Sequence, residues 1–371
     1  MEIRIAKSEF FKGLQSVQGI VDIRSTMPIL SNILIETYEE GIGIIATDLE
    51  IGVKGIYEAR VIQKGKITIN AKKIYDIVRE LPDTDIHIND EKENWVKISC
   101  GNSSFNLAGF APEEYPSLPA YKEEGMVKLN GGEIKDMVEK TIYAVSTDEN
   151  RQALNGVLYR LGITKSQMVA TDGHRLACIS GKKVEGLEVE MSVIIPRKVL
   201  SELAKTLDGE KPLFFSVTDN HLVFKQEKQV LISKMIDSKF PNFEQVIPRE
   251  NHIKFKVSRE ALMHALRRVS ILSSDKSRMV KFHIGDNKII LESEESEIGN
   301  AREEIDCDFS GETLAIGLNA RYLLDALNAI EKEEVSVELK DALGPALFLP
   351  YGDENYKCVV MPMRIEDAKS G

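Results

Sequence analysis

The sequence predicts an α+β protein made of three copies of one module, each of about 124 residues. Two kinds of strand–helix unit each occur three times along the chain, at nearly the same spacing. The stretches between these units alternate apolar and polar residues, as the strands of an antiparallel sheet do. We therefore expect each module to combine antiparallel strands with two helices on one face of the sheet.

The first repeated unit is a short alternating strand followed by a helix whose apolar residues lie three and four positions apart. In its first copy, a strand over residues 3–5 precedes a helix that carries Phe10 and Leu14. A carboxylate lies near the start of each of the three helices, where it suits the positive end of the helix dipole. These residues are Glu9, Glu133 and Glu260, which are 124 and 127 positions apart.

The second repeated unit is a strand that ends at a residue suited to begin a helix. The three residues are Asn70, Pro196 and Asn319, which are 126 and 123 positions apart. Proline is tolerated at a helix start because the N–H that it lacks would have no partner there. Two independent landmarks thus return the same period, which predicts three modules.

Between these units the sequence predicts β-hairpins, the first of which turns at Glu39–Gly41. Residues 41–46 also match the pattern G-x-G-x-x-A of dinucleotide-binding proteins. In those proteins the motif follows a strand and begins a helix, whereas here it runs into β-branched residues. We therefore interpret residues 41–46 as a strand and not as a nucleotide site.

Proline-rich segments at residues 115–119 and 240–248 are typical of junctions between domains. We expect the modules to span residues 1–124, 125–250 and 251–371. The last module ends in a short tail after residue 365, where apolar periodicity stops.

The charge of the chain excludes a protein coated with basic residues for gripping nucleic acid. The 371 residues include 48 Lys and Arg against 59 Asp and Glu, a formal net charge of −11. The six predicted helical stretches nevertheless carry +4, which leaves −15 on the remainder. Such helices can lie near phosphates without binding them tightly, although an ordinary solvated helix surface explains the charge equally well.

Other sequence patterns argue against a membrane protein, a secreted protein and a metal-dependent protein. The first residues carry charges where a secretion signal has an apolar core, and no run of apolar residues is long enough to cross a membrane. The four cysteines are far apart in sequence, so we expect neither a disulfide framework nor a zinc site. We expect no metal, no cofactor and a cytoplasmic location.

Two polar or pliable segments are candidates for function. Asp172 and His174 are spaced for acid–base chemistry, but no nucleophile motif accompanies them, so a structural turn at the rim of a binding pocket is favoured. The segment 361–364, Met-Pro-Met-Arg, fits either a last edge strand or the adaptable wall of an apolar groove.

Four motifs taken together resemble the bacterial DNA polymerase III β subunit family, the sliding clamps. They are Arg24–Leu30, Thr171–Leu176, Phe240-Pro241 and Met361–Arg364, and the likeness extends to about Ile365. The resemblance implies a head-to-tail homodimer whose six modules form a ring around duplex DNA, with helices inside and sheets outside. It also implies no catalysis, because a clamp tethers DNA polymerase subunits, the clamp loader and other proteins by topology and peptide contacts.

The resemblance implies one peptide-binding pocket per chain, because only the second module carries the Gly-His-Arg sequence. Partner proteins would insert a short peptide with apolar and aromatic anchors into this groove. The pocket residues carried over are Leu154, Thr171, Gly173, His174, Arg175, Leu176, Pro241, Val246, Asn319, Tyr322, Val359, Val360, Met361, Pro362, Met363 and Arg364.

The resemblance also implies residues that face DNA and residues that join the two chains. The DNA-facing candidates are Arg24, Lys72, Arg151, Arg197, Lys198 and Arg278, each of which is otherwise a solvated surface charge. The dimer candidates are Phe105, Leu107, Ile271 and Leu272, with Lys73 facing Glu303 or Glu304. An internal helix end is the alternative interpretation of Ile271 and Leu272.

Two other functions remain as alternatives. An acidic adaptor would bind proteins without encircling DNA, and a hydrolase would use Asp172 and His174. Retention on circular but not on linear DNA distinguishes a clamp from an adaptor.

Overall fold

The computed structural model describes residues 1–21, 26–274, 277–295, 298–309 and 311–365, which form two compact units. Unit one contains residues 1–133 and 198–235, and unit two contains residues 134–197 and the chain from 236 onward. Arg24, one of the DNA-facing candidates, lies outside the described residues.

Unit one contains two antiparallel sheets. The first has five strands in the order β5 (Arg60–Gln63), β1 (Glu2–Ala6), β7 (Asp85–Asp90), β8 (Trp95–Cys100) and β9 (Ser103–Ala108). The second has eight strands in the order β10 (Val127–Asn130), β15 (Pro212–Thr218), β16 (His221–Gln226), β17 (Gln229–Lys234), β4 (Ile51–Tyr57), β3 (Gly41–Thr47), β2 (Asn32–Tyr38) and β6 (Lys66–Asn70).

Unit two contains one antiparallel sheet of twelve strands. Their order is β14 (Met191–Pro196), β11 (Gly156–Leu161), β12 (Ser166–Thr171), β13 (Arg175–Gly181), β25 (Tyr356–Val360), β24 (Ala346–Pro350), β23 (Glu334–Leu339), β18 (Ile253–Ser258), β21 (Gly299–Asp308), β20 (Lys288–Glu295), β19 (Met279–Gly285) and β22 (Leu314–Asn319). The three hairpins expected from the sequence are present, and residues 41–46 lie in β3 as expected.

Six α-helices occur among the described residues, at the places that the two repeated units predict. They are α1 (Lys7–Val17), α2 (Ala71–Glu80), α3 (Gly131–Glu139), α4 (Arg197–Thr206), α5 (Arg259–Val269) and α6 (Ala320–Ala329). With these bounds the helices carry a net charge of +4, the value expected from the sequence. The α+β class is thereby confirmed.

The helix faces and starts follow the residues that predicted them. In α1 the spacing of three and four positions buries Phe10, Leu14 and Val17. The side chain of Asn70 accepts a hydrogen bond from the backbone N–H of Lys73 and so caps α2, and Asn319 caps α6 in the same way.

Two helices are shorter than expected. The sequence predicts a helix over residues 7–24, but α1 ends at Val17. The sequence predicts a helix over residues 131–146, but α3 ends at Glu139 and a 3-10 turn over Ile142–Ala144 follows. Thr141 leaves the helical conformation, with φ −125° and ψ −33°, while its hydroxyl donates to the carbonyl of Met137. A hydroxyl that satisfies a carbonyl of the preceding turn competes with continuation of the helix.

Each unit contains a strand pair that joins two of the predicted modules. In unit one, β4 pairs with β17, so that Val53 lies opposite Leu231. In unit two, β13 pairs with β25, so that Leu176 lies opposite Val359. The second of these junctions carries the candidate pocket.

Candidate functional site

The candidate pocket residues begin at a tight turn between β12 and β13. The Asp172 carboxylate accepts hydrogen bonds from the backbone N–H groups of His174 (2.9 Å) and Arg175 (3.0 Å). The Thr171 hydroxyl donates to the Arg175 carbonyl at 2.6 Å and accepts from the Gly173 N–H at 3.1 Å. Gly173 has a φ of +90°, a conformation that favours glycine. The carboxylate of Asp172 thus holds the turn, which supports the structural interpretation over acid–base catalysis.

Arg175 connects this turn to two other parts of unit two. Its Nε donates to Asp172 Oδ2 at 3.0 Å, its Nη1 to Asp325 Oδ2 at 2.5 Å and its Nη2 to the Tyr143 carbonyl at 2.5 Å. The guanidinium also lies 4.5 Å from the ring centroid of Tyr322 and 5.3 Å from that of Tyr143. The side chain is only 9% exposed. Arg175 therefore ties three segments of unit two together rather than presenting its charge to solvent.

A buried apolar cluster includes two of the candidate residues. Leu176 and Val359 belong to one buried cluster that also contains Phe243. A 3-10 turn over Phe243–Gln245 leads to Val246, whose side chain is 40% exposed. This cluster is thus closed to solvent, while the Val246 side chain is exposed at the surface.

The segment after β25 forms a side of the same site. The Met361 N–H donates to the His174 carbonyl at 2.8 Å, and the Met363 N–H donates to the Gly317 carbonyl at 2.8 Å. β25 ends at Val360, and Met363 makes an isolated bridge with Gly317. Residues 361–364 are therefore not a continuous edge strand, and two backbone hydrogen bonds fix this segment.

The remaining pocket candidates lie around this framework in unit two. His174 stacks on Tyr322, with ring centroids 6.5 Å apart. The Asn319 side chain caps α6 and also donates to the Ser277 carbonyl at 3.1 Å. Leu154, Pro362 and Met363 are half-buried, whereas Pro241, Met361 and Arg364 are exposed. All sixteen candidates lie in this one unit.

Sequence reasoning did not identify two partners of Arg175, namely Tyr143 and Asp325. The Tyr143 hydroxyl also lies 3.0 Å from the Tyr356 hydroxyl and 3.2 Å from Cys358 Sγ. Burial raises the pKa of the Cys358 thiol to about 11 and that of the Tyr143 hydroxyl well above its usual value, so both stay neutral. No local pattern marks these residues, because their relation to Arg175 exists only in three dimensions.

The DNA-facing candidates fall into two groups. Lys72, Arg197, Lys198 and Arg278 are exposed, although Lys198 forms an ion pair with Asp48 at 2.5 Å. Arg151 instead donates to the Asp172 carbonyl at 2.9 Å and lies 3.5 Å from an Asp148 carboxylate oxygen. Its guanidinium thus supports the turn at the pocket.

The apolar dimer candidates are at the surface of their units. Phe105, 36% exposed, and the half-buried Leu107 lie on β9, which in the described part of the chain pairs only with β8. Leu272 is half-buried, but Ile271 is 76% exposed in the turn after α5, so the internal-helix interpretation is wrong for that residue.

The charged dimer candidates already have partners within the chain. Glu303 is paired with Arg268, and Glu304 with Lys288. These hydrogen bonds hold the pKa of both carboxyls below the usual value. The exposed Lys73 would have to compete with Arg268 and Lys288.

Three further observations concern metal sites, cysteines and membrane-spanning helices among the described residues. These residues contain no group of three or more side chains spaced to hold a metal ion. All four cysteines are buried and free. No helix among them is both long and apolar enough to cross a membrane.

Comparison with known proteins gives consistent matches along the chain. Family models of the DNA polymerase III beta subunit match residues 1–119 (N-terminal domain), 128–242 (central domain) and 244–364 (C-terminal domain). The beta sliding clamp of Vibrio cholerae is 32% identical, and that of Caulobacter vibrioides is 33% identical. Both matches cover 98% of this chain and 100% of the relative.

Solved structures give the same result. A sliding clamp (DNA polymerase III subunit beta) from Bartonella birtlesii bound to griselimycin superposes with a TM-score of 0.94 at 33% identity, covering 98% of this chain and all of that one. The polymerase sliding clamp from Bacillus subtilis gives 0.93 at 29% identity, covering 99% of this chain and all of the other. The chain therefore belongs to the DNA polymerase III beta subunit family, the beta sliding clamps.

Proposed function

We propose that this protein is a DNA sliding clamp, a non-catalytic subunit that encircles duplex DNA and tethers the replicative polymerase. The observation that carries the proposal is the match of all three domain models, in order, with full-length sliding clamp relatives. Two chains would associate head to tail, since the exposed edge strand β9 belongs to unit one and the exposed apolar turn after α5 belongs to unit two, so the two surfaces differ.

Encirclement explains how an acidic protein works on DNA. A ring does not need a tight grip, so weak or water-mediated contacts to phosphates suffice and allow sliding. The helices carry +4 within a chain of net charge −11, which suits a DNA-facing helical surface and an outside that repels the duplex. Lys72, Arg197 and Lys198 are the exposed basic residues proposed for these contacts, together with Arg278 on its loop.

Retention on DNA of different topology tests this function. The protein is loaded onto nicked circular DNA by a clamp loader, and the DNA is then cut at one site. We expect the bound protein to stay on the circle and to leave the linear DNA, because only a closed path retains a ring. Equal retention on both forms would contradict encirclement and favour an adaptor that binds without enclosing DNA.

The site in unit two is proposed to bind a short apolar peptide of DNA polymerase subunits, the clamp loader and other partners. Its buried floor, stacked aromatic rim and methionine wall suit a groove that adapts to different sequences. We further propose a cytoplasmic location, where such a protein would meet DNA.

Truncation of the methionine wall tests the pocket. Met361→Ala together with Met363→Ala is expected to weaken a partner peptide by about tenfold or more, because two apolar contacts are lost. Fluorescence anisotropy with a labelled polymerase peptide measures this, and light scattering checks that the dimer remains. Leu343→Ala, at an 83% exposed apolar residue outside the predicted pocket, is the control. Unchanged affinity in the double variant would remove the pocket assignment.

A further inference from the structure

The thiol groups of the chain are poor targets for an oxidant. All four cysteines are buried and free. Burial raises the pKa of the Cys178, Cys307 and Cys358 thiols to about 11, so these residues carry little of the reactive thiolate at neutral pH. The fourth cysteine, Cys100, is only 2% exposed. Oxidation of this protein should therefore begin at another kind of side chain.

Two methionines are more accessible than any cysteine. The chain has eleven methionines, all among the described residues, and nine of them are buried or half-buried. The other two are Met27, which is 42% exposed, and Met361, which is 36% exposed. Met27 precedes a 3-10 turn in unit one, whereas Met361 directly follows β25 in the candidate pocket of unit two. One of the two most accessible methionines thus belongs to the proposed peptide site.

The backbone around Met361 is held in place. The Met361 N–H donates to the His174 carbonyl at 2.8 Å, and the Met363 N–H donates to the Gly317 carbonyl at 2.8 Å. A Cβ added at Gly317 would lie 2.9 Å from the Met363 carbonyl oxygen and 3.1 Å from Met279 Sδ, so the two segments already pack closely. A shift of the backbone therefore cannot carry an altered Met361 side chain away from the pocket.

A peroxide converts an accessible thioether into a sulfoxide. The sulfur lone pair attacks one oxygen of hydrogen peroxide, and an S–O bond forms as the O–O bond breaks. The proton of the transferred hydroxyl passes to the departing hydroxide, which leaves as water. Sulfur is oxidised by two electrons and the peroxide is reduced by two. The product is polar, so an apolar peptide placed over it would leave the new oxygen without a hydrogen-bond partner.

We propose that Met361 is an oxidation site, at which a peroxide weakens the binding of partner peptides and methionine sulfoxide reductase restores it. The proposal rests on the peptide-binding function proposed above for this site. The modification adds one oxygen to an exposed side chain and leaves the buried cluster around Leu176 and Phe243 unchanged. Oxidised protein should therefore stay folded while its affinity for the peptide falls.

Treatment of the full-length protein with hydrogen peroxide tests this proposal. The peroxide is removed with catalase at successive times, and mass spectrometry of proteolytic fragments measures the oxidation of each methionine and cysteine. Fluorescence anisotropy measures the affinity for a labelled, sulfur-free polymerase peptide with leucine and phenylalanine as its anchors. We expect Met27 and Met361 to be oxidised first. The dissociation constant should rise by about tenfold or more as Met361 is oxidised.

Two variants and a repair enzyme assign the loss to one sulfur atom. Met361→Leu replaces the thioether by a hydrocarbon of similar volume. Whatever affinity this variant has before treatment, peroxide should not lower it further. Met27→Leu is the matched control and should lose affinity on treatment as the wild type does. Methionine sulfoxide reductases A and B, which act on one sulfoxide epimer each, should together restore the wild-type affinity.

Protection by the peptide tests the position of the site. An excess of peptide should slow the oxidation of Met361 without slowing that of Met27, because only Met361 is covered by the peptide. Thermal melting of the treated protein should show that it remains folded.

Three results would overturn the proposal. An equal loss of affinity in the wild type and in Met361→Leu would assign the loss to another residue. Complete oxidation of Met361 with unchanged affinity would show that the site tolerates the sulfoxide. A Met361 that stays reduced while half-buried methionines are oxidised would show that its sulfur is shielded.

The untreated wild type separates this proposal from the pocket assignment. If untreated protein does not bind the peptide, the pocket and the oxidation site are both contradicted. If untreated protein binds and one of the three results follows, only the oxidation site is contradicted.

Discussion

Each nitrogen of the Arg175 guanidinium is used within the chain, so we expect this residue to position the predicted pocket rather than to bind a partner's charge. The sequence drew attention to Arg175 because it belongs to the Gly-His-Arg motif. Residues of an exposed motif often contact a ligand. The structure assigns Arg175 a positioning role, because Asp172, Asp325 and the Tyr143 carbonyl take one nitrogen each. Asp325 is the partner that brings α6 to the pocket.

Asp325→Asn tests this positioning role. The variant keeps the shape of the side chain but removes the charge opposite a 9% exposed guanidinium. We expect the free energy of unfolding to fall by about 1–3 kcal/mol, and the affinity for a partner peptide to fall several-fold. Urea denaturation and fluorescence anisotropy measure the two effects, and Asp325→Glu should recover part of both.

Asp136→Asn is the matched control, because Asp136 forms a more exposed pair with Lys140 at 2.6 Å. A surface pair of this kind contributes about 0.5 kcal/mol or less, with no expected effect on the peptide. If Asp325→Asn behaves like Asp136→Asn, the positioning role is contradicted.

Two turns of the same design explain why we predict one peptide pocket per chain. In unit one, the Asp48 carboxylate accepts from the N–H groups of Glu50 (2.9 Å) and Ile51 (2.7 Å), as Asp172 does in unit two. The Lys234 N–H donates to the Glu50 carbonyl at 3.0 Å, as Met361 does to His174. Buried Ile51 stands where unit two has Arg175, and Lys234 pairs with Glu50 at 3.1 Å. The backbone of the turn is repeated in unit one, but the side chains of the candidate groove are not.

Each of the two turns has one residue in the left-handed backbone conformation, and substitution of that residue tests whether the turns are equivalent. Gly173→Ala should lower the free energy of unfolding by about 1–2 kcal/mol, because φ is +90° and the new Cβ would lie 2.8 Å from Arg151 Nη1. Leu49 has a φ of +75° in the equivalent turn, so Leu49→Gly should raise stability by up to about 1 kcal/mol. Urea denaturation of both variants measures the two changes. If both variants change the free energy of unfolding in the same direction, the two turns are not equivalent.

The sequence predicts the helices and strands better than it predicts which strands pair with each other. Periods of two and of 3.6 residues located the six helices and the hairpins, because both signals are local. The pairing of β4 with β17 and of β13 with β25 joins segments more than 170 residues apart, and no local pattern encodes such a partner. The Arg175 network could not be predicted for the same reason, since Asp325 is 150 residues away.

At the scale of the whole molecule, the surface of unit one includes an unfinished sheet. β9 pairs only with β8 within the described chain, and it exposes Phe105 at an open edge. Proteins usually protect such an edge, because unpaired backbone groups invite association with another chain. Two chains that cover this edge with the apolar turn after α5 would form the head-to-tail contact proposed above.

Ile271→Ala together with Leu272→Ala tests that contact. Ile271 is 76% exposed in the isolated chain, so its truncation costs little within the fold but removes apolar contact area from an interface. We expect the dimer dissociation constant to rise by about 100-fold or more, since two large apolar side chains are removed from the proposed contact. Light scattering over a dilution series measures the dissociation, and Leu343→Ala, at an 83% exposed residue, controls for loss of surface apolar area in general. Because a ring must be closed to stay on DNA, the double variant should also leave nicked circular DNA faster than the control. A variant that remains dimeric at the lowest concentration would place the contact elsewhere on the chain.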